Sequence, residues 1–246
     1  MDEIIFAVEN VRKKRRQGAG YVLHIHSLRI ARGEQIALTG ASGSGKSTAL
    51  DLLGMVLRPD EAEVCTLNTL AESVDVGALW RCGDMDRMAA LRLEHMGYVL
   101  QTGGLLPYLT VEENMGLTAR MQGRPEGFIK ENVRALAVQL GISALLKSMP
   151  STLSVGERQR AAIGRALAAQ PMLVLADEPT AALDPVHAEV VMELFRNAVT
   201  NLGASLVMVS HDLALVRKEG LREVRIEVEA GDDGCVYAGI DDRRRI

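Results

Sequence analysis

Residues Gly40 to Thr48 read GASGSGKST and satisfy the spacing G-x-x-x-x-G-K-[ST]. Glycines at those positions let successive main-chain N–H groups turn inward around an anion, and a helix beginning there adds the positive end of its dipole. Gly40, Ala41, Ser42, Gly43, Ser44 and Gly45 would form the cradle, and Lys46 would reach the β- and γ-phosphates of a nucleotide. The Ser47 hydroxyl would help hold Mg2+, and Thr48 would meet the α-phosphate side. A second group lies downstream, where the apolar run MLVLAD ends in Asp177, followed by Glu178 and Pro179. Two carboxylates at the end of a buried strand suit Asp177 to Mg2+, reached through water, and Glu178 to orienting or deprotonating a water that attacks phosphorus. His211 follows another apolar run, SLVMVS; a lone histidine is commonly structural, but at a strand end it could bond the γ-phosphate and keep the water and Glu178 in register. Gln101, after YVL, offers an uncharged amide that could bridge Mg2+ or water and still swing away, or be ordinary surface.

One stretch poses a different question. In TLSVGERQRAAIGRAL, Thr152 to Leu167, Ser154 and Glu157 make an S-x-x-E capping box that starts a helix. Gly156 nevertheless sits inside the first turn, where glycine costs about 1 kcal/mol relative to alanine. Something that must approach the backbone closely would account for it.

These residues need elements to hold them. IIFAVEN and YVLHIHSLRI read as strands separated by QGAG, and EQIALTG as a short strand running into the glycine loop. TALDLLGMVL has helical spacing, residues 66–94 look polar and irregular apart from a helix near Met85 to Glu94, and HMGYVLQ is a strand ending at Gln101. From there to Leu167 the pattern is helical: Ile129, Val133, Leu136 and Leu140 mark one face, and Gly141 sits where a C-terminal cap belongs. MLVLAD lacks alternation, as a strand buried on both faces does; a helix from His187 to Asn201 then leads to SLVMVS. The tail LREVRIEVEAGDDGCVYAGI suggests an antiparallel hairpin around Gly231 to Gly234. Alternating strands and helices point to an α/β fold with a mostly parallel sheet, an antiparallel lobe at the termini and an inserted helical lobe.

The bulk numbers narrow the class. The 246 residues suit one domain, and 48% hydrophobic with only 3% aromatic residues implies an aliphatic core. No apolar run approaches the ~20 residues of a membrane span, and the first residues lack a signal-peptide layout, so a soluble cytosolic chain is expected. The three cysteines are far apart, without metal-site spacing, and are expected as reduced thiols. A net charge of -4 gives no global attraction to nucleic acid, and none is expected as a partner. The basic runs at Arg12 to Arg16 and at the C-terminus are solvated surface or local contacts to phosphate or anionic lipid.

Taken in order, the loop at 40–48, YVLQ at 98–101, LSVGE at 153–157, LVLADEP at 173–179, AALD at 181–184 and SHD at 210–212 resemble the nucleotide-binding subunit of ABC transporters. The resemblance spans nearly the whole chain. It implies a P-loop NTPase cassette with a RecA-like parallel-sheet core, residues 1–246 as a single ATP-binding domain and a helical lobe at about 102–167. It also implies ATP with Mg2+ as cofactors and a homodimer or pseudo-dimer of such subunits. In the family the signature segment binds the γ-phosphate of ATP held by the other subunit; that role would fall to Ser154 and Gly156 here, with Glu157 spent on the cap. Asp184 would sit at the seam between subunits. Departures exist: Val155 replaces the usual first glycine of the signature, and Glu157 stands where many relatives carry Gln. The residue that would stack on adenine falls near Arg15, with Tyr21 as the nearby aromatic.

RLEHMGYVLQTGGLLPYLTVEENM resembles the subgroup serving lipoprotein release and macrolide-type efflux. Leu105, Leu106, Pro107, Tyr108 and Leu109 would then offer an apolar surface to a membrane permease subunit, or else fill the helical lobe's own core. The resemblance implies an exporter ATPase at the cytoplasmic face of the inner or plasma membrane. An importer subunit and a soluble ABC ATPase are the alternatives.

Overall fold

The computed structural model describes residues 3–15, 20–231 and 235–242. The chain opens with β1 (Ile4–Arg15) and β2 (Tyr21–Ala31), paired antiparallel from Ile4↔Ala31 to Arg15↔Tyr21. β3 (Gln35–Thr39) runs into the glycine loop and α1 (Lys46–Leu53). That helix is shorter than its apolar spacing suggests, because Gly54 caps it and Met55 turns to a φ of 53°.

Residues 66–94 are ordered rather than irregular. They contribute most of β4 (Val64–Asn68), then β5 (Ser73–Asp75), α2 (Val76–Cys82) and most of α3 (Met85–His95), the one element anticipated there. Strands this short and a two-turn helix fall below the window in which periodicity is visible. β6 (Met96–Val99) stops two residues before Gln101. The helical region holds α4 (Val111–Met121), α5 (Glu126–Gln139) and α6 (Val155–Leu167), and its first residues, 102–110, are loop. Gly141 follows α5 with a φ of 64°, in keeping with its expected place at that helix's end.

After it come β7 (Leu173–Asp177), α7 (Pro185–Asn201), β8 (Ser205–Val209), α8 (Leu213–Lys218), β9 (Arg222–Arg225), β10 (Glu227–Ala230) and β11 (Val236–Asp241). The tail departs from a single hairpin. β9 joins the parallel sheet beside β3, and only β10 and β11 form the hairpin. Of its expected turn, Gly231 is described and residues 232–234 lie outside the described residues.

Two sheets result. One has the order β6-β7-β8-β3-β9 with every pairing parallel; the other, β10-β11-β2-β1-β4-β5, is antiparallel except where β11 runs parallel to β2. The parallel sheet lies between two apolar clusters. Leu38, Leu173, Leu175, Val207 and Val209 pack into the cluster shared with β1, β2 and α1. Their neighbours Ala37, Val174, Ala176, Leu206 and Met208 pack on the other face with α4 to α7. Strands covered on both faces have no polar side to display, hence the unbroken apolar runs.

The first three residues of the basic run are paired locally, Arg15 is exposed, and Arg16 lies outside the described residues. Lys13 pairs with Asp60 at 3.3 Å, while Arg12 and Lys14 reach Glu61 at 3.3 and 3.2 Å. The C-terminal run from 243 onward lies outside the described residues.

Candidate functional site

Parallel strands put all their C-terminal ends on one edge of a sheet, which is where open α/β sheets place ligands. Four neighbouring strands here deliver, in spatial order, Gln101 after β6, Asp177 and Glu178 at the end of β7, His211 after β8 and the glycine loop after β3. Main-chain bonds continue past the strands and fix the register: Glu178 N–H donates to the Val209 carbonyl and Ser210 N–H to the Leu38 carbonyl, each at 3.2 Å.

The loop is built before any ligand enters. Gly45 has a φ of 89°, and a Cβ there would lie 1.9 Å from the Tyr21 hydroxyl, so any other residue would be strained and would displace Tyr21. Tyr21 donates its hydroxyl to the Ser44 carbonyl at 2.8 Å, and burial pushes its pKa up to about 12. Lys46, 5% exposed, donates to the carbonyls of Gly40 at 3.0 Å and Ala41 at 2.7 Å. Burial lowers its pKa, against the pull of Glu178 and Asp177. Phosphate oxygens would be stronger acceptors than those carbonyls. The Ser44 hydroxyl is buried without a partner, and Thr48 is 5% exposed.

A cavity of about 330 Å³ opens beside the loop, lined by Ser42, Gly43, Gly45, Lys46, Ser47 and Thr48, with Glu178 and His211 among its other walls. Arg15 and Tyr21, the two candidates for the base, line it too and face each other across β1 and β2. Tyr21 has its hydroxyl committed to the loop, so Arg15 is the exposed planar group of the pair. A larger hollow of about 500 Å³ lies over β9 to β11. Glu223, Glu227, Glu229, Asp241 and Asp242 line it, which suits it poorly to a triphosphate.

The Ser47 hydroxyl meets Asp177 Oδ1 at 3.1 Å. Burial raises the Asp177 pKa, and Glu178 and Asp51 add repulsion that Ser47 and Lys46 oppose. An oxygen pair with an electrostatic cost of this kind fits a hard divalent cation. Among the described residues no cluster of three or more His, Cys, Asp and Glu could hold a metal by itself, so such a cation would complete its shell with phosphate and water, as Mg2+ does.

Glu178 is the strained residue of the site. Its φ of 46° is left-handed, a conformation that costs a non-glycine residue about 1–3 kcal/mol and persists only where the surroundings enforce it. Gln101 Nε2 donates to its Oε2 at 3.3 Å, and His211 Nε2 pairs with its Oε1. Gln101, ambiguous as a residue type, is thereby placed against the candidate base.

Ser154, Gly156, Glu157 and Asp184 are elsewhere. None lines the phosphate cavity. Ser154 caps α6: its hydroxyl accepts from Glu157 N–H at 3.3 Å, while Glu157 Oε2 accepts from Ser154 N–H at 2.7 Å and lies 2.8 Å from its hydroxyl. Those bonds lower the Glu157 pKa. Gly156 has no left-handed φ, and a Cβ there would meet only Leu183 Cδ2, at 3.7 Å. Nothing among the described residues requires that glycine. Asp184 caps α7 by accepting from His187 N–H at 3.2 Å and holds the His187 ring at 2.6 Å. Sequence reasoning missed Arg165, which grips the loop after Gln101; a lone arginine in a helix carries no signal of that contact.

The sequence profile of the ABC transporter family matches residues 23–181. The lipoprotein-releasing system ATP-binding protein LolD of Shewanella denitrificans is 38% identical over 216 residues, covering 87% of this chain and 89% of the relative. An uncharacterized ABC transporter ATP-binding protein of Thermotoga maritima is 40% identical over 200 residues, covering 81% of each. Among solved structures, the dimeric post-hydrolysis state of the cassette MJ0796, bound to ADP and Pi, superposes with a TM-score of 0.74 at 29% identity and covers 94% of this chain and 96% of that one. With these relatives and this site, the chain belongs to the ABC transporter family, as one of its ATP-binding and ATP-hydrolysing subunits.

Proposed function

We propose that this subunit hydrolyses ATP only when two cassettes meet head to tail, each supplying half of the surroundings of two nucleotides, and that the cycle drives a separate membrane permease. The observation that carries this reading is the Ser154–Gly156 segment: exposed or half-exposed, outside the phosphate cavity, with a first-turn glycine that nothing among the described residues requires. A partner's phosphate needs that open backbone. The related MJ0796 cassette, described as dimeric, supports the same arrangement.

Within one subunit, Lys46 and the loop amides hold the phosphates, and Arg15 stacks on the base. Ser47, Asp177 and Gln101 would hold Mg2+, which when bound would neutralise charge developing on the phosphates. Glu178 orients the attacking water and accepts its proton as the water oxygen bonds to the γ-phosphorus. The bond to the bridging oxygen breaks, and ADP leaves with that electron pair. His211 steadies Glu178, and Asp184 sits at the seam. The test is Glu178→Gln, which should accumulate an ATP-bound dimer in gel filtration while turnover falls; a monomer with full turnover contradicts the reading.

The permease surface is placed on both sides of Gln101. Among 105–109, Leu105 packs partly into the helical cluster while Tyr108 is 71% exposed. A more apolar groove of about 450 Å³ lies before Gln101, lined by Val56, Leu93, Met96, Tyr98 and Leu100. Among the described residues no helix is long and apolar enough to cross a membrane, so a separate membrane subunit would provide the path. The LolD relatives favour an exporter of the lipoprotein-release type at the cytoplasmic face of the inner membrane. Co-purification of a permease, lost on Leu100→Glu, tests the surface.

A further inference from the structure

The loop that follows Gln101 is tied to α6 by one side chain. Arg165 donates from Nη1 to the Gly104 carbonyl at 2.7 Å and from Nη2 to the Gly103 carbonyl at 3.0 Å. Both glycines are left-handed, with φ of 74° and 60°, so the loop has little conformational restraint of its own. Arg165 has no carboxylate partner among the described residues, and burial lowers its pKa. Half-burying a guanidinium without a counter-charge has a desolvation cost, and the two carbonyls are the partners that offset it. A Cβ added at Gly103 would lie 3.6 Å from both Ala162 Cβ and Gln159 Oε1 of α6, and the Gln159 amide nitrogen is buried without a hydrogen-bond partner among the described residues. A loop held this way keeps Gln101 Nε2 at 3.3 Å from Glu178.

We propose that Arg165 is a positioning residue for hydrolysis: its fork on the Gly103 and Gly104 carbonyls sets the distance between Gln101 and Glu178. The proposal rests on the roles given to Gln101 and Glu178 above. α6 then carries at one end the segment offered to the partner's nucleotide and at the other the tie to its own Gln101. A shift of the helix on dimer formation is delivered to the attacking-water site.

A double-mutant cycle on the full chain tests it, reading kcat and KM for ATP hydrolysis with thermal unfolding alongside. Arg165→Met should lower kcat about tenfold with KM changed less than about twofold, since small misplacements of a positioned group weigh on the chemical step. Arg165→Lys, which can reach one carbonyl, should recover part of the loss. In a Gln101→Ala background, Arg165→Met should cost nothing further, because one residue acts through the other. Equal losses in both backgrounds, an unchanged kcat in Arg165→Met, or a rise in KM alone overturns the proposal. If Arg165→Met does not fold, Arg165→Lys carries the same cycle. An unchanged kcat in Gln101→Ala by itself removes the role of Gln101 and this proposal together. Additive losses overturn the proposal and leave that role standing.

Discussion

The phosphate loop and the Ser154 segment are both helix N-termini, yet they are finished to different degrees. Around α1 the chain supplies its own partners: Tyr21 braces the loop, Lys46 is bonded to two carbonyls, and Ser47 meets Asp177. Around α6 the capping box satisfies the helix end and goes no further, leaving Val155 44% exposed and Gly156 half-exposed, with room for a Cβ 3.7 Å from Leu183 Cδ2. The first region is a half-site completed by folding. The second is satisfied as it stands and, in the dimer proposed above, would acquire its chemistry from another subunit.

Breaking the first half should have the largest effect. Lys46→Ala is expected to lower ATP hydrolysis about 100- to 1,000-fold, the scale for losing a preorganised electrostatic group; steady-state phosphate release measures it. The second half can be broken without harming its fold. Ser154→Asn keeps a good N-cap and an N–H for the Glu157 carboxylate, so Tm should move by no more than about 2 °C, while a bulkier amide facing the partner's γ-phosphate lowers turnover about 10- to 100-fold. Ser154→Ala should instead cost about 1 kcal/mol of stability. Comparable effects of the two on stability and turnover would erase the contrast between regions.

Asp177→Asn sharpens the comparison from the first side. Its pKa is raised by burial, so the folded chain holds its proton more tightly than the unfolded chain does. Stability is then lost as pH climbs from the unfolded value toward the raised folded one, and the penalty remains at neutral pH. The asparagine should leave the ligand-free Tm equal or higher and remove most of the extra stabilisation that Mg2+ adds to ATP, as scanning calorimetry would register. The smallest effect belongs to Val155→Gly. Val155 has helical geometry and an exposed side chain, so ATP turnover should stay within about threefold. A collapse would show that the valine is tuned for the partner.

Legibility followed the range of the interactions. The glycine loop and the Ser154–Glu157 capping box are encoded within a few residues, and their spacing alone disclosed them. In the parallel sheet β3, β7 and β8 were visible because burial on both faces leaves a nearly continuous apolar run. β4, β5 and α2 were not, being too short to establish a period. The tail misled for another reason: β9 and β10 are separated by one residue, and nothing in LREVRIEVEA says that its first half pairs with β3 instead of continuing a hairpin. Gln101 stayed ambiguous because its partner, Glu178, is 77 residues away.

By itself the sequence determined the local chemistry: which helices are capped, where the backbone can cradle an anion, and which carboxylates end an apolar strand. The tertiary structure decided which of those strand ends meet. The order β6-β7-β8-β3 brings Gln101, Glu178, His211 and Lys46 to one edge, and it positions Arg165 against a loop 61 residues earlier. Distance between strands is set by main-chain hydrogen-bond ladders and by two apolar faces packed at once, and a linear spacing of side chains carries neither.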